Sequence, residues 1–452
     1  MLEYLEFQKG EQLVEKLKND NIRSLFLKYL LPSVTGNLSI GILVFIDTIF
    51  IGRGIGSQGL AALNTAIPAF TIYSSTGLLL GMGGATAAAV DIGRGNHQGK
   101  NKIFSHSVYL AISIGISFTL LQWLLLDEFT VLLGATDTLF PLVKDYLRVI
   151  SGSTLFYLLP HTVVAFIRND GNPNLPMIGM VVCGIVNILL DYIFIFIFNW
   201  GMSGAALATG LAQLSYFLVL LTHFFSKKNT LTLERKRLKE RAIRRIFRIG
   251  LPSFLNETSM GIAIFAFNLV LFKIKGDMGV AAYSIILNVN FLIYLIFVGI
   301  SQACQPLISI NYGAGNHARV KETLKFGYIS TLIVSLATFL VVYFLKFPLI
   351  SLFNTTDIEL IEFTAIGMPI YFSSVLFMGI NIMLAIFFQA VEYSGLSSLI
   401  TFLRGLVLII LGLIVLPKFI GVTGVWATPL FAETLTLIIA VFLYKRFKYT
   451  AG

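Results

Sequence analysis

An all-α membrane protein, with twelve transmembrane helices arranged as two six-helix bundles, is the architecture this 452-residue sequence predicts. Three observations carry that expectation. The chain is 56% hydrophobic and only 12% charged, with a mean hydropathy of +0.83, whereas soluble domains hold about 25% charged and about 45–50% apolar residues. Apolar runs of about 20 residues, enough to cross a bilayer, recur from end to end. The second half of the chain also repeats the first at a fixed offset. A water-soluble globule is excluded, and no polar half remains to form a separate soluble domain.

Taken in order, the twelve spans fall at 25–52, 60–90, 103–126, 139–166, 175–198, 203–225, 246–272, 280–310, 323–345, 358–389, 395–418 and 422–444. The loops between them are short and leave no room for an extramembrane catalytic domain. The longest polar connection, 226–248, separates spans six and seven. This divides the chain into an N-terminal segment (1–24), a first bundle (25–225), a linker (226–245) and a second bundle (246–452). Residues 1–22 are polar and charged, with Glu3, Glu6, Lys9 and Glu11 where a signal peptide would show a compact apolar core. No cleavable signal is expected there. Leu2, Leu5, Leu13, Val14 and Leu17 suggest a short amphipathic helix at the membrane interface.

Lysine and arginine set the orientation. An even number of spans puts both termini on one side, and that side collects 25 basic residues against 7 opposite, with Arg404 left inside span eleven. The positive-inside rule then places both termini in the cytoplasm of a multi-pass cell-membrane protein. The net charge of +10 is therefore topological, and a nucleic-acid partner loses its support. Cys183 and Cys304 both sit in apolar runs. Two such cysteines fit neither a disulfide framework nor a zinc site, and they are expected as small core residues.

The repeat has an offset of 220 residues. Leu31-Pro32-Ser33 recurs as Leu251-Pro252-Ser253, and Gly56, Gly59, Ala61 and Ala62 recur as Gly276, Gly279, Ala281 and Ala282. The segment 93–97 returns at 313–317 with only Arg94 changed, to Ala314, and Gly201 and Gly204 map to Gly421 and Gly424. Because six spans is an even number, both bundles enter the membrane in the same direction, related by an axis along the membrane normal. Secondary transporters commonly have this form, with substrate bound between halves that rock about it. Channels and membrane enzymes also duplicate.

Duplicated scaffolding should match, and chemistry is free to diverge. Under the offset Asp47 pairs with Phe267, Asp191 with Leu411, Glu257 with Asn37, Glu433 with Gln213 and Arg404 with Gly184. A charge at mid-membrane costs about 2.5–3.5 kcal/mol, so each should be paired or face water. Asn187 lies one helical turn before Asp191, and Thr209 follows in the next span. Two carboxylates, an amide and a hydroxyl suit a hard cation such as Na+. They suit a shared proton equally, since two close buried carboxylates resist double ionisation; plain polar contact between helices is the third alternative. Arg404 is expected either to pair with Glu257 or Glu433 or to serve a second coupling or substrate site. His97, His106 and His317 are expected at solvated span ends, and His161 and His223 at membrane-facing or interfacial positions.

No Walker, Gly-x-Ser-x-Gly or His-Glu-x-x-His pattern occurs. Neither an ATP site nor an enzyme is expected, and no cofactor beyond a coupling ion. Pro32 precedes Asp47 by fifteen residues, about 22 Å along a helix at about 1.5 Å per residue. A bend there would couple the state of Asp47 to the shape of span one. With 39 Phe, 17 Tyr and 10 Met, a cleft lined by such side chains would accept apolar cations through contact area and cation–π attraction.

The segment Val44-Phe45-Ile46-Asp47-Thr48-Ile49-Phe50-Ile51-Gly52-Arg53, followed by Gly59-Leu60-Ala61-Ala62-Leu63, resembles the first-span signature of the MATE (multidrug and toxic compound extrusion) transporters of the MOP flippase superfamily. The resemblance implies a V-shaped pair of six-helix lobes that exports cationic or amphipathic organic compounds in exchange for Na+ or H+. It also implies a cation site built from Asp47, Asn187, Asp191 and Thr209, with Pro32 as the kink residue. Glu257 comes five residues after Pro252, about a turn earlier than the span-seven acid of another branch. The resulting expectation is a monomeric, ion-coupled drug exporter among membrane lipids. The alternative is a flippase for lipid-linked oligosaccharide, which would need a basic cavity; Arg404 stands as the only basic residue well within a span.

Overall fold

The computed structural model describes residues 15–234, 239–353 and 355–447. Its helices are α1 (Ile22–Gly54), α2 (Ser57–Gly93), α3 (His97–Leu124), α4 (Leu126–Leu132), α5 (Phe140–Gly152), α6 (Thr154–Asn169), α7 (Asn174–Asp191), α8 (Gly201–Leu221), α9 (Glu240–Gly313), α10 (His317–Ser351), α11 (Ile358–Phe372), α12 (Val375–Ala390), α13 (Ser394–Phe402), α14 (Leu408–Ile420) and α15 (Val422–Arg446). Among the described residues nine helices are long and apolar enough to span a membrane, or eleven when each bent pair counts as one span. The bent pairs are α5 with α6, at 52°, and α11 with α12, at 42°. The 74-residue α9 is interrupted at Gly276 (φ 61°, ψ −146°), and its two arms are spans seven and eight. The twelve expected spans are thereby all accounted for.

The repeat is written into the backbone as well as the sequence. Gly56 and Gly276 both have positive φ, as do Gly95 and Gly315, and Gly201 and Gly421. Glycine occupies that region without a Cβ penalty, so each pair marks the same turn in both halves. Two buried cores follow: one around Leu80, Phe104, Tyr146 and Phe166, the other around Phe297, Phe372, Phe387 and Trp426. The halves exchange ends, because Phe26 and Tyr29 of α1 pack into the second core and Ile246 and Ile249 of α9 into the first. Leu17 is also buried in the second core, and its carbonyl accepts hydrogen bonds from Asn311 Nδ2 (3.2 Å) and Arg319 Nη2 (3.2 Å). The other apolar positions of the expected amphipathic helix, Leu2, Leu5, Leu13 and Val14, lie outside the described residues.

The halves pack together from one end, with contact continuing along α1 as far as Gly41, which faces Leu292 and Leu295 of α9. A Cβ at Gly83 or Gly250 would collide with the carbonyl of Ile246 or Leu79, and one at Gly93 or Gly313 with that of Ile310 or Val90. These glycines let backbones approach as small residues do in membrane helix packing. All four lie toward the ends that the basic residues assign to the cytoplasm. Gly54 and Gly279, at the opposite ends, meet only their own half, and a Cβ at Gly56 or Gly276 meets nothing.

An ion cluster ties the closed end. Arg245 of α9 donates to both carboxylate oxygens of Asp91 on α2 (2.9 and 3.0 Å) and to Glu392 (2.5 and 3.0 Å). Such forked pairing fixes geometry as well as charge. Arg245→Gln is expected to weaken the closed end by about 1–2 kcal/mol, since the 28% exposed side chain is partly screened. Faster maleimide labelling of a cysteine placed at Ala314 would register it; an unchanged rate would deny the cluster a closing role.

The linker is strapped to the first half. Backbone amides of Thr230, Thr232, Glu234 and Lys239 donate to Asp170, Asn101, Ser105 and His106 (2.8, 3.3, 2.8 and 2.9 Å). His106 is therefore a buried acceptor, 3% exposed, and not a solvated histidine. His223 is fully buried against Asp170 (2.8 Å) rather than interfacial. The strap takes up the His106 ring directly, whereas His223 is held by Asp170, which the strap also bonds.

Candidate functional site

In the first half, α1 carries Asp47, α7 carries Asn187 and Asp191 on one face, and α8 carries Thr209. Asn187 and Asp191 are fully buried, while Asp47 and Thr209 keep part of their surface. The Asp47 and Asp191 carboxyls face each other within interaction range, with Asn187 adjoining. Asn187 Nδ2 donates to Thr209 Oγ1 at 3.5 Å. All four residues predicted from sequence thus converge. Tyr146 of α5, which spacing did not reveal, lies close to Thr209.

What distinguishes the cluster is a surplus of acceptors. Asp191 Oδ1 and Oδ2, Asp47 Oδ1, Asn187 Oδ1 and, one turn beyond Thr209, Gln213 Oε1 are buried without a well-formed hydrogen bond. Buried polar atoms are normally satisfied, and leaving them bare is costly. Among the described residues no lysine or arginine pairs with either aspartate. Oxygen donors with no opposing positive group fit a proton or a hard cation. Pro32 lies within α1, which runs as one helix from Ile22 to Gly54; Asn37 Nδ2 donates to the Ser33 carbonyl at 2.7 Å just beyond it.

The second half organises its charges differently. Arg404 sits in a π-helical segment (Leu403–Val407) between α13 and α14 and donates to Glu433 of α15 at 2.7 and 3.1 Å. Asn381 Nδ2 donates to the other Glu433 oxygen at 2.6 Å. Of the two candidate partners, Glu433 takes the guanidinium. Glu257 lies across Asn256, whose amide hydrogen-bonds the Tyr294 hydroxyl and approaches Glu257 at 3.5 Å. Two clefts flank this network. One, about 600 Å³, lies between the halves, bordered by Leu78 and Met82 on one side and Glu257, Gln302 and Arg404 on the other. The second, about 770 Å³, lies inside the second half.

Breaking the pair leaves a buried guanidinium uncompensated. Glu433→Gln is expected to cost about 3–5 kcal/mol, read as a fall in Tm in detergent, and Glu433→Gln combined with Arg404→Met should recover most of the loss. An unchanged Tm in the single variant would remove the pair from the stability account.

Arg168 corrects a further expectation. Counted from sequence as a loop residue, it is 5% exposed at the end of α6, where Nη1 donates to Gln302 Oε1 of α9 (2.5 Å). Asn37 Nδ2 donates to the same oxygen at 3.1 Å. Arg404 is thus not the only basic side chain buried in the helical body. The available signal was helical spacing, because Arg168 follows the buried Val164 by four residues.

The family model for MatE matches this chain twice, over residues 32–193 and 252–414, so the two matches repeat the internal offset. The chain belongs to the MatE family, whose members are transporters rather than enzymes. It is similar to the multidrug export protein MepA of Staphylococcus haemolyticus, with 28% identity covering 96% of each chain, and to MepA of Staphylococcus aureus at the same identity and coverage. Among solved structures it superposes on a MATE crystallised in complex with MaL6, with a TM-score of 0.89 and 23% identity over 96% of this chain and 97% of that one. A MOP superfamily transporter from Pyrococcus furiosus, described by a reverse polarity of its binding pocket, gives 0.89 and 24% over 97% and 98%. The multi-pass, two-bundle fold is common to them.

Proposed function

We propose that this protein exports organic compounds, cationic and amphipathic drugs above all, in exchange for Na+ or H+ taken up at Asp47 and Asp191. The single observation that carries the reading is the cluster of buried oxygens with no positive partner between α1, α7 and α8. The printed function of the MepA relatives, multidrug export, supports the cargo. Lobes 25–225 and 246–452, joined by 226–245, rock about the closed end. The 25-to-7 split of basic residues supports a cell-membrane location with both termini in the cytoplasm. The protein acts as a monomer in lipid and needs no cofactor beyond the coupling ion.

Mechanistically, an empty cluster holds two carboxyls that repel when both are charged. A cation or proton entering past the partly exposed Asp47 removes that repulsion and lets α1 close on α7. The ion is then bound in one shape of the lobe and drug in the other, which couples the two through one free energy. Flipping a pyrophosphate-linked lipid is less well supported. Arg168 is engaged by Gln302 and Arg404 by Glu433, so neither is presented as a free basic wall.

The test is ethidium movement in proteoliposomes under separately imposed Na+ and pH gradients. One gradient or both should drive it against its own concentration difference. Ethidium movement indifferent to both would remove the reading.

A further inference from the structure

The two halves carry the same chamber, furnished differently. Under the 220-residue offset Asp47 corresponds to Phe267, Thr209 to Pro429 and Gln213 to Glu433. Phe267, Pro429 and Glu433 all line the 770 Å³ cleft inside the second half. That cleft is therefore the symmetry mate of the Asp47, Thr209 and Gln213 side of the first-half cluster, while Leu411, the mate of Asp191, is exposed. Where the first half presents carboxyl and amide oxygens, the second presents rings. Phe267 stacks on Tyr283 with centroids 4.8 Å apart, and Tyr371 stands 6.2 Å from both. Met260 and Met378 border the same space. Its polar wall is the Asn256–Tyr294–Arg404 network, which it shares with the cleft between the halves.

We propose that this aromatic chamber binds the exported compound, as an aromatic monocation, while its mate in the first half binds the coupling ion. The inference rests on the export reading and assigns the two tasks to two places. Ring faces attract a cation, and methionine adapts to irregular shapes. Glu433 is the carboxylate that lines the chamber, held by the guanidinium of Arg404, whereas Glu257 lines the cleft between the halves. A cation that reaches Glu433 competes with Arg404 for it, so entry of cargo loosens the network that separates the two clefts. The divergence of the repeat then has a reason: a second oxygen-lined ion site at Phe267 would exclude an apolar ring system.

The experiment uses the full-length protein in nanodiscs, with ethidium as probe and its fluorescence anisotropy as readout. Phe267→Leu and Tyr371→Leu keep apolar bulk but remove the rings, and each is expected to raise the ethidium Kd about 3- to 30-fold. A neutral compound with the same ring system should lose less than about threefold, since only the cation–π part is removed. A reporter independent of those substitutions is alkylation of Met378→Cys, or of Met260→Cys should the first fail to fold. The native Cys183 and Cys304 are buried. Ethidium should slow alkylation at 378 or 260. Wild-type affinity in both leucine variants, or protection of a cysteine at Thr209 and none at 378 or 260, would overturn the proposal and leave drug export standing. Protection at 378 together with gradient-independent ethidium movement would instead sink ion-coupled export while leaving the chamber.

Discussion

Asp191→Asn is expected to reduce ion-driven ethidium efflux at least about 30-fold, with Asp47→Asn close behind. Removing one member of a buried charged interaction costs about 2–5 kcal/mol, and a tenfold change in affinity corresponds to about 1.4 kcal/mol. Asparagine keeps the shape and one oxygen but carries no charge for an incoming ion to neutralise. Asp191 should show the larger effect because it is fully buried, with both carboxylate oxygens lacking a donor. The same substitution should not lower Tm and is expected to raise it, since the amide adds a donor among buried oxygens that have none. Loss of transport with a preserved or higher Tm identifies a coupling group. Loss of both together would recast Asp191 as structural glue.

The second large effect concerns closure. Gly250→Ala places a Cβ against the backbone carbonyl of Leu79, an atom that cannot step aside as a side-chain tip would. Overpacking of this kind costs about 1–3 kcal/mol. Here most of the cost is escaped by letting the closed ends part, so the equilibrium between closed and open ends moves by about 5- to 150-fold. Labelling of a cysteine at Ala314 should accelerate by that factor. Gly261→Ala, where a Cβ meets nothing within 4 Å, is the matched control and should leave the rate alone. Equal rates in both variants would mean that the glycine contacts do not hold the ends together.

Features that repeat with a period were legible before any coordinates. The spans followed from apolar run length, and the equivalence of Gly56, Gly95 and Gly201 to positions 220 residues on followed from the repeat. The convergence of Asp47, Asn187, Asp191 and Thr209 was legible because helix periodicity and short connections leave few ways to arrange α1, α7 and α8. Contacts between halves were not. Gln302 bridging Arg168 and Asn37, and Arg404 choosing Glu433 over Glu257, depend on how two bundles dock, which no local pattern records. The strap that ties down His106 and Asp170 was hidden for a related reason. An extended segment satisfies its backbone on whichever side chains it happens to cross, and the polar linker sequence reads the same whether solvated or tied down.

The central claim is that an ion held at Asp47 and Asp191 is exchanged for the cargo. Its most direct measurement runs the exchange backwards: an imposed ethidium gradient across sealed proteoliposomes, with internal Na+ and pH followed in time. Wild-type protein should drive Na+ or H+ against its gradient, and Asp47→Asn and Asp191→Asn should each abolish that movement while the vesicles stay sealed. Ion movement of wild-type size in both variants would contradict the account.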